Sequence, residues 1–162
     1  MGRFLCVLRS WLLMVSVIAA GNTLQCFRDY SFVSEKLYTA SPGLVNGLQA
    51  RTFGVWTLLS SVVRCLCALD IRNQTPDSDS GFQCTSEHVA LFSSQLVLYY
   101  ITLFTFVVAL AHFLSEVFIY HTAALTMGIM APLMVASFSI LGMLIGLQYL
   151  EVEAQSQNKK KN

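Results

Sequence analysis

The chain has 162 residues, 55% of them hydrophobic and only 12% charged, with ten basic and nine acidic side chains and a formal net charge of +1. That length fits one folding unit, and the charged fraction falls far below the roughly 25% of soluble domains. A nucleic-acid binder would show a basic face, a disordered chain would be poor in apolar residues, and five cysteines do not make a disulfide-dense secreted scaffold, so an integral membrane protein remains.

The predicted fold class is all-α: a polytopic membrane protein built as a four-helix transmembrane bundle, with residues 1–162 as a single membrane domain. A bilayer core of about 30 Å takes about 20 helical residues. The first span is predicted at about 4–23, overlapping the charge-free run Ser10–Phe27. Arg3, Arg9, the apolar run Trp11–Ala20 and the small residues Ala19-Ala20-Gly21 also match a signal peptide, so retention and cleavage both stand as readings. Gly2 does not open a myristoylation site, because Cys6 holds the position that needs Ser or Thr. The following loop, Leu24–Gly47, carries a Pro42-Gly43 turn and the aromatics Phe27, Tyr30, Phe32 and Tyr38. It is expected to lie at headgroup level. The second span is predicted at about 48–69, with Arg64 near its end and expected to snorkel to the interface.

Residues 76–97 read as a flexible insert in the second loop, and His88–Leu98 either extends the next helix or lies along the membrane surface. The sequon Asn73-Gln74-Thr75 is expected to stay unmodified, because Pro76 follows it and the charge count below places it in the cytosol. The third and fourth spans are predicted at about 98–118 and 125–147, in the charge-free runs His88–Ser115 and Val117–Leu150. A tight turn near Tyr120–Ala124 joins them, and no internal repeat is visible.

Orientation follows from basic residues in short flanks. Four spans put Arg3, Arg9, Arg64, Arg72, Lys159, Lys160 and Lys161 on one side and Arg28, Lys36 and Arg51 on the other. Both termini are therefore expected in the cytosol, with 151–162 as a cytosolic tail. Lys159 and Lys160 stand four and three places from the end. They resemble a dilysine signal for retrieval to the endoplasmic reticulum, and a positive stop after the last span is the plainer reading.

Cofactor chemistry is sparse. His88, His112 and His121 do not pair at helical spacing, so a membrane di-iron site is not expected. Cys65-Leu66-Cys67 is not a zinc spacing, and no glycine-rich dinucleotide loop occurs. No cofactor, metal or catalytic residue is predicted. Intramembrane ionisable groups are the best candidates for a structural or interaction site. His112 and Glu116 share a helix face at i, i+4 and lie at the depth of Arg51. Arg64 lies ~20 Å further along and is expected level with Glu151 and Glu153. Two interface-level charge clusters are the bland reading; a His112–Glu116 proton-transfer dyad is the sharp one. Gly142 and Gly146 form a GxxxG pair, which serves packing within the chain or a homo-oligomer equally well.

The chain resembles the ergosterol biosynthetic protein 28 family, close to its animal form. The resemblance runs through Leu8-Arg9-Ser10-Trp11, Leu44-Val45-Asn46-Gly47-Leu48-Gln49-Ala50-Arg51-Thr52-Phe53-Gly54, His112-Phe113-Leu114-Ser115-Glu116, Ala131-Pro132-Leu133-Met134-Val135-Ala136 and Tyr149-Leu150-Glu151-Val152-Glu153. Pro76–Val97 departs from the family pattern, which puts the second loop in doubt. The resemblance implies a small multi-pass protein of the endoplasmic-reticulum membrane, active in sterol biosynthesis without catalysing a step. It implies a scaffold for three partners: a sterol C-4 methyl oxidase, a sterol C-4 decarboxylase/3-dehydrogenase and a 3-keto-steroid reductase. The alternative from the residues alone is a small isomerase-like membrane enzyme using His112 and Glu116.

Overall fold

The computed structural model describes residues 2–71 and 85–159, with side chains described over 3–71 and 96–149. In chain order the elements are α1 (Gly2–Arg28), α2 (Ser31–Lys36), a 3-10 turn (Pro42–Leu44), α3 (Gly47–Asp70), α4 (Thr85–Phe118) and α5 (Met127–Lys159). No strand occurs among the described residues. Among the described residues four stretches are long and apolar enough to cross a membrane: Arg3–Arg28, Gly47–Asp70, Leu96–Phe118 and Met127–Tyr149. The protein is an all-α, multi-pass membrane bundle.

Local chemistry sets the breaks between helices. The Asp29 carboxylate accepts from the Ser31 amide at 2.9 Å and from the Ser31 hydroxyl at 2.6 Å, which braces the turn that leads into α2. Those same bonds hold the Asp29 carboxyl below its ordinary range. Asn46 caps α3, its side-chain oxygen accepting from the Gln49 amide at 2.9 Å. His121 has φ 53°, a left-handed conformation no other described non-glycine residue adopts, and it turns the chain between α4 and α5.

Helices α1 and α3 share the most extensive contact, and α4 packs next most extensively on α5. In lipid this contact cannot rely on hydrophobic burial, so small residues and hydroxyls carry it. Gly54, Ser61 and Ala68 are buried at two-turn spacing on α3. A methyl on Gly54 would stand 3.2 Å from Cys26 Cβ. The Ser16 hydroxyl donates to the Ser61 carbonyl at 2.8 Å, and the Ser61 hydroxyl returns the bond to the Ser16 carbonyl at 2.8 Å. One turn-pair along, Thr23 donates to the Gly54 carbonyl at 3.3 Å. The pairs 16–61 and 23–54 run in opposite chain directions, so α1 and α3 are antiparallel.

Two further bonds close the ring of helices. The Trp11 indole donates to the Ser139 hydroxyl at 2.9 Å, and the Tyr99 hydroxyl donates to the Met143 carbonyl at 2.6 Å. Gly142 and Gly146 lie beside them. A Cβ on Gly142 would meet Leu8 at 3.5 Å, and one on Gly146 would meet Leu8 at 3.0 Å and the Tyr99 hydroxyl at 2.5 Å. The GxxxG face is thus filled by α1 and α4 of the same chain.

The core divides into two clusters. One surrounds Leu12, Phe106 and Met143; the other, at the end bearing α2 and the α4–α5 turn, surrounds Val33, Tyr38, Phe113 and Ile129. We call the latter the capped end. Of the expected insert, residues 76–84 lie outside the described residues, while 85–97 continue α4 as helix.

Candidate functional site

Among the described residues, ionisable side chains find partners within the bundle in two places. The first is the capped end. His112 and Glu116 face each other on α4, with Nδ1 and Oε1 3.9 Å apart. That is too long for a hydrogen bond, because each side chain is drawn to another partner. His112 Nε2 shares a hydrogen bond with the Tyr38 hydroxyl at 3.0 Å. The Thr122 hydroxyl donates to the Glu116 carboxylate, and the Thr122 amide donates to the Glu116 carbonyl at 3.0 Å. Trp56 of α3 meets the His112 ring edge-on, with centroids 5.4 Å apart. The α2 segment is therefore tied to α4, and the α4–α5 turn is tied back onto the end of α4. Burial, and after it the Glu116 charge, pushes the Tyr38 phenol up to about 12.

The second place is Arg64. The expectation that it snorkels to the interface is overturned, for the residue is 8% exposed and turned into the bundle. Its Nε donates to the Thr105 hydroxyl at 3.3 Å, and its guanidinium carbon stands 4.0 Å over the Phe106 ring. Ser61, Arg64 and Ala68 share one buried face of α3, and that rotation carries the guanidinium inward. Arg64 also lines a half-enclosed cavity of about 350 Å³ among α1, α3, α4 and α5, with α2 over the capped end.

The remaining candidates stand apart. Arg51 is exposed at the start of α3, its Nη1 close to the site of a methyl on its own Gly47, and it joins no ion pair among the described residues. The side chains of Glu151 and Glu153 are outside those described, so their expected level with Arg64 lies there too. Lys159 closes α5, and Lys160 lies outside the described residues. No group of three or more His, Cys, Asp or Glu that could hold a metal gathers among the described residues.

A family model for the Erg28 like protein matches residues 8–76 and 85–141. The chain belongs to the Erg28 family. It is 64% identical over 162 residues to the ergosterol biosynthetic protein 28 homolog of Homo sapiens, covering all of both chains. It is 62% identical over the same span to that of Mus musculus. The ergosterol biosynthetic protein 28 of Schizosaccharomyces pombe is 38% identical over 130 residues, 80% of this chain and 78% of its own. No solved structure matches.

The Erg28-family chain has site residues that sequence reasoning missed. Tyr38 lies 74 positions from His112, and nothing in the sequence pairs them. Thr122 follows Glu116 by six positions across a turn, a spacing no helix rule covers. The cavity has no local signature, since all four long helices build it. The one available signal was the ionisable residue in an apolar span, which singled out Arg64.

Proposed function

We propose that this chain is a non-catalytic scaffold of the endoplasmic-reticulum membrane, with both termini cytosolic, that tethers sterol C-4 demethylation enzymes during sterol biosynthesis. Its partners are a sterol C-4 methyl oxidase, a sterol C-4 decarboxylase/3-dehydrogenase and a 3-keto-steroid reductase. Relatives aligned along the whole chain carry the name of an ergosterol biosynthetic protein, which supports the pathway. The observation that carries the non-catalytic half is the engagement of His112 and Glu116. A general acid or base must reach a substrate proton; here Tyr38 takes up His112 Nε2 and Thr122 one Glu116 carboxylate oxygen, and both bonds hold the cap. A scaffold contributes effective concentration: tethered enzymes meet as if at roughly millimolar levels. Intermediates too apolar for water then pass between neighbours.

The test is rescue of cells lacking the native protein, scored by 4-methylsterol build-up, with recovery of the three enzymes by affinity capture measured in parallel. A catalytic histidine contributes typically ~10²–10⁴-fold, so an isomerase would lose nearly all rescue on His112→Gln with partners still bound. The scaffold predicts that rescue tracks partner recovery across variants and that His112→Gln is mild. Abolished rescue with intact recovery would overturn the proposal.

A further inference from the structure

The geometry points to the bundle cavity as a binding site for a lipid acid, a molecule with an apolar body and one carboxylate that pairs with Arg64. Its walls are mostly aliphatic and aromatic, with Trp56, Phe106 and Phe113 among them, and its volume of about 350 Å³ lies within the range of small-molecule sites. Along α3 it runs from Phe53 to Arg64, eleven residues or ~16 Å of helix. An elongated apolar molecule fits that space.

Charge decides the class. Among the described residues the lining carries two charged side chains, Lys36 and Arg64, and both are basic. Among the described residues Arg64 meets no carboxylate, only the Thr105 hydroxyl through Nε and the Phe106 ring face. A buried cation is costly to leave unpaired, and an ionisable residue within a span marks a functional position by default. A guanidinium's planar fork suits bidentate pairing with a carboxylate. Lys36 is exposed, so its pairing is screened and weak. Arg64 is therefore the anchor and Lys36 at most an aid at the capped end. Two sources supply such a molecule: a fatty acid and a sterol carboxylic acid. The sterol source rests on the function proposed above, because a C-4 decarboxylase consumes a sterol acid.

The experiment uses the full-length chain purified in detergent without any sterol enzyme, so the outcome does not depend on scaffolding. Saturable binding of radiolabelled cholenic acid, its methyl ester and palmitate is measured for wild type, Arg64→Gln, Arg64→Lys and Ala109→Phe, with thermal melting confirming the fold of each. Wild type is expected to bind at least one acid and to bind the neutral ester more weakly. A charged hydrogen bond in a buried site sets the loss on Arg64→Gln at ~10- to 100-fold for the acid, with the ester unchanged. Arg64→Lys retains part of the affinity, and Ala109→Phe, which adds a ring to the cavity wall, abolishes it. Binding of cholenic acid alone, or of palmitate alone, supports the site and names its source. Equal binding of acid and ester, an Arg64→Gln affinity equal to wild type, or no saturable binding would each overturn the proposal. Loss of enzyme recovery in cells with acid binding retained would instead strike the scaffold reading and leave this one standing.

Discussion

The capped end and the Arg64 region treat intramembrane charge in opposite ways. At the capped end His112 and Glu116 are spent on neighbours from the loops: Tyr38 on one side, Thr122 on the other. In the Arg64 region the guanidinium keeps, among the described residues, one hydroxyl and one ring face for company and borders open volume. The difference teaches that position within a span does not reveal the role of an ionisable group. The surroundings do: a group bonded to loop residues holds structure, and a guanidinium that lines a cavity is available to a ligand.

The strongest way to break the capped end is through Gly128. A methyl there would collide with the Lys36 backbone carbonyl, which cannot swing aside as a side chain would. Gly128→Val is expected to push α2 off α5 and cost about 3 kcal/mol, at the high end for overpacking. Chemical denaturation in mixed micelles checks this, and a loss under 1 kcal/mol would show that α2 is loosely held.

A finer cut removes only the link to His112. Tyr38→Phe keeps the ring and deletes the hydroxyl, for an expected loss of about 1 kcal/mol. The pH dependence follows from the sign of the shift. The folded phenol titrates near about 12 against an ordinary 10.0, so the neutral form is favoured in the folded state. That stability is present in full below the ordinary value and is lost as pH rises through the folded one. Wild type should weaken between those two values, and Tyr38→Phe should be flatter there; parallel curves for the two proteins would detach Tyr38 from the effect.

The smallest effect lies between the two regions, where Ser16 and Ser61 exchange hydroxyl bonds. Interhelical hydrogen bonds in membranes average about 0.6 kcal/mol. A double-mutant cycle of Ser16→Ala and Ser61→Ala should return a coupling of about that size. Strict additivity would mean that close packing alone, with Gly54 at its centre, holds α1 to α3.

Much of the bundle was legible because a charge-free run is a direct measure of what lipid tolerates. The runs Ser10–Phe27, His88–Ser115 and Val117–Leu150 fall largely within α1, α4 and α5. The family was legible in long motifs such as Leu44–Gly54. Helix rotation was not. A helix that is apolar all round offers no polar face to orient it, so the sequence could not tell that Arg64 turns inward rather than toward the interface. Small residues on α3 carried a faint signal: Gly54, Ser61 and Ala68 recur every seven positions, as a close-packing face does. The GxxxG of Gly142 and Gly146 packs against Leu8 and Tyr99 of the same chain, which the spacing alone does not specify. Tyr38 and Thr122 lay beyond any local rule, because loops choose their partners in three dimensions.

One measurement sets the two regions directly against each other: thermal melting of wild type, His112→Gln and Arg64→Gln, each with and without a saturating lipid acid. Ligand at about 100 times its dissociation constant adds about 2.7 kcal/mol, a rise of roughly 5 °C or more for a chain this long. The account predicts that His112→Gln melts lower than wild type and keeps the ligand-induced rise. Arg64→Gln is predicted to melt at or above wild type, because a buried charge with no carboxylate partner among the described residues is removed, and to lose the rise. A His112→Gln protein that melts like wild type but no longer responds to the acid, or an Arg64→Gln protein that responds in full, would contradict the division of labour.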